Sequence, residues 1–319
     1  MKKILNNNFL EFNLILFPIW ILPVYLGLKS FFISPELAFL LFLILFGETH
    51  FASTFLFYFN KPNHDYIKKN KLILVYLPIL ISLLYFLSGL KYFDYAVLVG
   101  AIASGIHVTR QSIGISRIFS EGKNTAAELL IYSSSFLFLF VGFTRFYKEE
   151  FFKILSFFPN IESMTGLYYG LLEEKIYLIF LVVFLSLIAL FEKTNYKKRL
   201  VNLTGVLIYT PYLFVNNIYD AIVIGVGAHW SQYLLINYKI YFYKEKIDLK
   251  KSLQILFIVA YALMMSILGY KVHFEESFLQ ILILIPLTGQ FFHYYIDAFI
   301  WRFSVKELRE TIGVKLFSN

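Results

Sequence analysis

The sequence contains no cysteine among its 319 residues, and only 16% of them are charged. Without cysteine the chain has no disulfides, iron–sulfur clusters or thiolate metal sites, so any metal ligand must be nitrogen or oxygen. The low charge, with 59% hydrophobic residues and a mean hydropathy of +0.67, excludes an ordinary soluble domain. The composition therefore predicts a membrane protein.

Several sequence signatures of catalytic sites are also absent. The chain has no GxSxG elbow, HExxH pair or Walker loop, and no two of its histidines lie within five residues of each other. The last absence separates it from the membrane desaturases of the di-iron type, which use HxxH and HxxHH clusters. Residues 1–8 precede an apolar stretch without a small-residue cleavage site, so that stretch is predicted to be a span and not a signal peptide.

Apolar runs of about 20 residues, the length that crosses a bilayer core, recur along the whole chain. The two least regular are separated only by a tight turn at Asn216, Asn217 and Asp220. Aromatic and charged residues mix over 148–171, which is predicted to lie in the outer interface. The sequence thus predicts an all-α polytopic bundle, with one transmembrane domain over residues 1–319. Ten spans are predicted, at 9–28, 36–59, 71–90, 93–116, 125–147, 172–191, 201–217, 219–241, 251–270 and 278–302.

The distribution of basic residues predicts the orientation of these spans. With the N-terminus inside, 21 of the 29 Lys and Arg residues lie on the inner side, 7 lie on the outer side, and Arg110 lies within a span. Cytoplasmic loops collect Lys and Arg, so both termini are predicted to be cytoplasmic in a multi-pass protein of the bacterial inner membrane. The net charge of +8 then follows from topology, and no nucleic-acid partner is expected.

Four of the six histidines lie within predicted spans, where ionisable residues are costly and mark functional sites. All four lie on even-numbered spans, which run in the same direction across the membrane. Counted from the outer ends of those spans, their depths differ by less than about 8 Å at 1.5 Å per residue. The sequence therefore predicts four imidazoles at one level that could share one metal ion. They are His50, His107, His229 and His293; the other two, His64 and His273, are predicted to be solvated in loops.

Other polar residues in the spans are candidates for supporting roles. Asp297 follows His293 by four residues, so it shares a helix face and could hold the imidazole tautomer. Glu48 and Asp297 are the catalytic candidates, and Arg110 is a predicted partner of Glu48 or Glu128. A glycine two to four residues before each histidine predicts close helix approach. The residues predicted to surround the metal ligands are Arg110, Gln111, Gln232, Tyr233 and Gln290.

Imidazoles without thiolates suit iron, copper or zinc, and nearby carboxylates favour iron. An intramembrane iron (Fe²⁺) would meet lipophilic small molecules and dioxygen, which predicts an oxygenase. Two alternatives stay open. The same His, Asp and Glu residues could form the relay of a proton-coupled transporter, or the chain could be an assembly subunit that binds no metal. The sequence does not predict the oligomeric state.

The four intramembrane histidines in a polytopic chain resemble the bacterial β-carotene dioxygenase (Brp/Blh) family. That resemblance implies iron held by His50, His107, His229 and His293, dioxygen as co-substrate and a carotenoid substrate. The chain departs from the family pattern, since it has no Pro-His-Gly, no closely spaced histidine pair and more spans than that family would suggest. The departures bear more on the substrate than on the metal.

Overall fold

The computed structural model describes residues 13–31, 34–120, 124–146, 175–191, 196–216, 218–221, 224–225, 227–242, 245–274, 282–302 and 304–313. Over these residues the chain is helical and contains no strand. The all-α class predicted from composition is therefore confirmed for this part of the chain. The residues fall into two compact units, which are described in turn.

Unit 1 comprises residues 1–14, 28–104 and 230–319. The helices that lie wholly or partly in unit 1 are α1 (Phe17–Phe31), α2 (Pro35–Phe42, Leu43–Gly47, Glu48–Ser53 and Phe55–Phe59), α3 (His64–Lys69), α4 (Leu72–Lys91), α5 (Phe93–Ser120), α11 (Gly227–Tyr241), α12 (Leu249–Phe274), α13 (Leu284–Ile300) and α14 (Lys306–Leu308). Helix α2 is a series of segments that includes one π-helical turn; the structure also gives a 3₁₀ turn, Lys61–Asn63, and a closing π-helical turn, Arg309–Gly313.

Aromatic and small residues pack the helices of unit 1. Tyr85 of α4 stacks on Phe291 of α13 with ring centroids 4.4 Å apart. Gly89 lies against Leu284, where an added Cβ would lie only 2.6 Å from the leucine Cδ2. Small residues let helices approach closely inside a membrane, where dispersion contacts replace the hydrophobic effect. Helix α13 is thereby fixed against α4, and with it the polar residues that α13 carries.

Unit 2 comprises residues 15–27 and 105–229. Its core is a cluster of buried aliphatic residues from four of its helices: Ile113, Ile131, Ala189, Leu203 and Val206. Gly205 lies against Ile131, which again allows close packing. The helices that lie wholly or partly in unit 2 are α1 (Phe17–Phe31), α5, α6 (Thr125–Phe146), α7 (Lys175–Phe191), α8 (Tyr196–Leu207), α9 (Pro211–Phe214), α10 (Ile218–Ala221) and α11.

Three helices of the described chain are long and apolar enough to cross a membrane: α4, α6 and the stretch Leu249–Gly269 of α12. On α4, Leu83, Leu84 and Leu87 are each about half exposed. A row of exposed leucines is unusual on a water-soluble surface and suits contact with lipid tails. Shorter apolar helices occur at Phe17–Gly27, Leu37–Ser53 and Leu178–Phe191. The ten-span count and the orientation remain predictions.

The helices depart from the predicted spans at one described place. The predicted seventh span, 201–217, breaks after Leu207 into a turn and the short helix α9, which begins at Pro211. Proline lacks the backbone N–H that an uninterrupted helix needs, so the break is expected at this position. In the predicted eighth span, 219–241, the structure describes the last part of α10, residues 224–225 and α11. The predicted interfacial segment 148–171 lies outside the described residues.

Candidate metal site

In unit 1 two of the predicted histidines face each other. The Nε2 atoms of His50 on α2 and His293 on α13 lie 2.9 Å apart, and their rings meet at 67°. His50 is 0% and His293 1% exposed. Tyr233 of α11 covers the pair, with its ring centroid 4.2 Å from that of His50 and 5.3 Å from that of His293. The structure therefore brings two residues 243 positions apart into direct contact.

A π-helical turn, Leu43–Gly47, precedes Glu48 and His50. Such a turn adds one residue to the helix and rotates everything after it by about 100°. The rotation decides which side chains of the next turn face inward, and Glu48 and His50 are both buried there. The Thr49 hydroxyl donates to the Ile44 carbonyl, five residues back. Apolar periodicity alone gave no sign of this insertion.

A series of hydrogen-bond contacts links His293 to Asp297. The Tyr233 phenol donates to Asp297 Oδ1 at 2.7 Å. The Thr54 hydroxyl lies 3.3 Å from the Tyr233 hydroxyl and is in hydrogen-bond contact with His293 Nδ1. Thr54 has one hydroxyl proton, so it can donate to only one of these two groups. The contacts hold the His293 ring in place with its Nε2 toward His50.

Contrary to the prediction, Asp297 does not bond directly to the His293 ring. Its Oδ1 lies 3.7 Å from His293 Nδ1, too far for a hydrogen bond. Thr54, which the sequence reasoning missed, occupies that place instead. Thr54 follows His50 by four residues and so shares its helix face, which was the available signal. Asn237, also missed, donates to Ser53 at 2.8 Å, and Ser53 donates to the carbonyl of His50.

In unit 2 the other two predicted histidines also lie side by side. The ring centroids of His107 on α5 and His229 on α11 are 5.6 Å apart, and the rings are nearly perpendicular at 81°. Both are buried, at 7% and 1% exposure. The Tyr209 hydroxyl donates to the carbonyl of Gly105, two residues before His107, at 2.8 Å. That bond ties α5 to the turn between α8 and α9.

Glu128, a predicted partner of Arg110, bonds to another arginine of the same helix. Arg110 is exposed, as is Ile106 one turn earlier on the same helix face. Glu128 instead forms a two-point ion pair with Arg117, whose Nε and Nη2 each donate at 2.8 Å. The Glu128 hydrogen bonds raise the pKa of Arg117 above its ordinary value. Arg117 lies seven residues after Arg110, near the end of α5, where its guanidinium reaches the first turn of α6.

Glu48 also differs from expectation. It is 2% exposed, and its Oε1 accepts a hydrogen bond from Gln290 Nε2 at 3.3 Å. Its Oε2 has no hydrogen-bond partner among the described residues. An unpaired buried polar atom costs about 1–3 kcal/mol, so this oxygen calls for an explanation. Gln290, predicted to support a histidine, bonds to Glu48 instead. Of the other predicted supporting residues, Gln232 is buried and Gln111 half-buried.

The glycines before the histidines accommodate side chains more than backbones. An added Cβ on Gly47 would lie 3.0 Å from the indole of Trp230, and one on Gly105 would lie 2.8 Å from Leu139. On Gly225 it would meet the Tyr212 ring at 2.8 Å and the carbonyl oxygen of Ile208 at 3.2 Å. The prediction of close backbone approach is therefore met only at Gly225, and the other contacts are made by large side chains.

These observations define an all-helical protein with membrane-length helices and buried imidazoles. Its buried histidine and aspartate side chains could hold a metal ion, although they do not identify the metal: His50, His107, His229, His293 and Asp297. His64 is exposed, as predicted, but it is the first residue of α3 and not a loop residue; its Nε2 lies 3.0 Å from the Tyr58 carbonyl oxygen. His273 lies among residues whose side chains are not described.

No family model, curated protein or solved structure matches this chain. The site residues therefore rest on the chemistry and geometry of this chain alone.

Proposed function

We propose that this protein is an integral-membrane, metal-dependent oxygenase, in which His50, His107, His229 and His293 bind an iron ion. The observation that carries the proposal is the approach of His50 Nε2 to His293 Nε2 at 2.9 Å within a pair of buried imidazoles. The pair formed by His107 and His229 supplies two further buried imidazoles.

The 2.9 Å separation of the two nitrogens is short enough for both to bind one ion. Iron(II) with histidine ligands is typical of non-haem oxygenases. A cation here would also offset the charge of the buried Asp297 carboxylate.

When bound, iron would supply the activation of dioxygen and the redox chemistry. The chain itself holds the imidazoles. Thr54 contacts Nδ1 of His293, and Tyr233 contacts both Thr54 and Asp297. Hydrogen bonds of this kind fix the ring and raise its basicity as a ligand. The low exposure of both histidines keeps bulk water from the nitrogens.

The substrate is proposed to be lipophilic, because the imidazoles lie on helices with membrane-type composition and apolar surfaces. A carotenoid or another lipid fits this description. The resemblance to the β-carotene dioxygenase family favours a carotenoid and remains a hypothesis, as does the location in a bacterial inner membrane.

Metal analysis of detergent-purified protein, prepared without chelators, tests the proposal. We expect about one iron per chain in the wild type and strong loss in a His50→Ala/His293→Ala double variant, because the ligands are removed. The matched control is His64→Ala, which removes an exposed histidine and should leave the metal content unchanged. Wild-type protein with less than about one-fifth of an iron, copper or zinc per chain would overturn the proposal.

A proton relay is the second candidate, and one observation favours it. The hydrogen-bonded series Asp297, Tyr233, Thr54, His293 and His50 consists of groups that can pass a proton. In this case the 2.9 Å contact is a hydrogen bond from His50 Nε2–H to His293 Nε2. Protein that lacks metal but carries protons down a pH gradient in liposomes would select this function over the oxygenase.

A further inference from the structure

A polar cluster lies next to the histidine pair in unit 1. Glu48 precedes His50 by two residues, and Gln290 precedes His293 by three, so both lie about 3–5 Å along their helices from the imidazoles. Tyr261 of α12 places its hydroxyl against Gly289, the residue next to Gln290. We call Glu48, Gln290 and Tyr261 the Glu48 cluster.

The Glu48 cluster contains a buried oxygen without a partner. Gln290 bonds to Oε1, while Oε2 has no hydrogen-bond partner among the described side chains and backbone groups. Buried carboxyl oxygens are nearly always hydrogen-bonded, by protein, water or ligand. The Gln290 amide directs its N–H toward the carboxyl, so it cannot also accept a proton from it at that atom. Among the described residues none pairs with this oxygen, so a water molecule or a ligand is the group that could pair with it.

We propose that the Glu48 cluster binds the hydroxyl group of a lipophilic alcohol, with Glu48 as the specificity-determining residue. This inference rests on the proposed function in that it assigns a substrate class to the same site: a lipid with an alcohol group held one helical turn from the metal ligands. It assigns Glu48 to substrate binding and not to proton transfer.

The chemistry of the cluster favours a hydroxyl over other ligands. A hydroxyl both donates and accepts, so it pairs with a carboxyl in either of its protonation states. A metal cation requires several oxygen ligands, whereas the nearest bonded group, Gln290, presents N–H. A buried ammonium would need further acceptors for its three protons, and only one oxygen is open here.

Ligand binding to metal-free protein tests this proposal separately from the metal proposal. Tritiated hexadecan-1-ol is the probe, because its flexible chain adapts to apolar surfaces of many shapes; unlabelled hexadecan-1-ol and hexadecane compete with it. A hydrogen bond to a carboxyl group predicts that the alcohol competes about tenfold or more better than the alkane. Because all proteins in this experiment are treated with chelator, its outcome does not depend on whether the chain binds a metal.

Two variants separate hydrogen bonding from packing. Glu48→Met keeps the length of the side chain but cannot pair with a hydroxyl, so the alcohol preference should vanish. Glu48→Gln retains a donor and an acceptor and should keep most of the preference, even if Glu48→Met does not fold. Equal competition by alcohol and alkane in the wild type, absence of saturable binding of hexadecan-1-ol, or an undiminished preference in Glu48→Met would each overturn the proposal.

Discussion

At the scale of single residues, Thr54 is the side chain on which the geometry of His293 most directly depends. It lies between His293 Nδ1 and Tyr233, in the place that spacing along the helix had assigned to Asp297. An i,i+4 rule places two residues on one helix face, but it does not say whether a third residue from another helix comes between them. His293 and Asp297 do share a helix face, but no hydrogen bond joins them, and Thr54 contacts the imidazole instead.

Replacing Thr54 with valine should weaken metal binding about 10–100-fold, because the variant keeps the shape but removes the hydroxyl that fixes His293. Competition with a calibrated chelator measures the affinity. Thr144→Val is the matched control, since the Thr144 hydroxyl bonds only to carbonyls of its own helix and Thr144 is also buried. Equal affinities of the Thr54 variant and the wild type would show that Thr54 does not support the ligand.

At the scale of helices, glycines decide which elements approach each other. Gly142 of α6 faces Tyr212 of α9, where an added Cβ would lie 2.6 Å from the ring and 3.0 Å from the tyrosine Cβ. Gly114 of α5 has nothing within 4 Å of the same position. Both glycines look alike in the sequence, as mid-helix residues with low helix propensity, but only one is required by packing.

Alanine at these two positions should therefore act in opposite directions. Gly142→Ala overpacks the contact with Tyr212 and should destabilise the protein by about 1–3 kcal/mol. Gly114→Ala gains helix propensity and should be neutral or stabilising by up to about 1 kcal/mol. Thermal unfolding in detergent, followed by tryptophan fluorescence, compares the two variants. A Gly142→Ala protein as stable as Gly114→Ala would show that the close contact of α6 with α9 is not required.

The π-helical turn at Leu43–Gly47 shows what helical periodicity could not predict at this scale. The span around His50 was recognised from its hydropathy. Its inward face was not determined by that pattern, because a single inserted residue rotates the remainder of the helix. The break before Pro211 is comparable: composition predicted one apolar segment there, while the proline divided it.

At the scale of the whole molecule, the charge bias of 21 inner against 7 outer basic residues predicts the topology. The absence of cysteine makes the prediction easy to test, since a single introduced cysteine is the only thiol. Lys68→Cys and Lys91→Cys both lie at exposed positions, on the predicted inner and outer sides. In intact cells a membrane-impermeant maleimide should label Lys91→Cys only, and Lys68→Cys after permeabilisation. Labelling of Lys68→Cys in intact cells would refute the orientation.

Composition and hydropathy determined the all-α class and the membrane character of this chain, because both depend on how much of each residue type lies in an unbroken run. The sequence also singled out the four histidines, since ionisable residues are rare in apolar segments. Only the tertiary structure showed that His50 meets His293, that Thr54 and Tyr233 link His293 to Asp297, and that Gln290 pairs with Glu48. Such pairings depend on helix rotation and on side chains far apart along the chain, which no local pattern records.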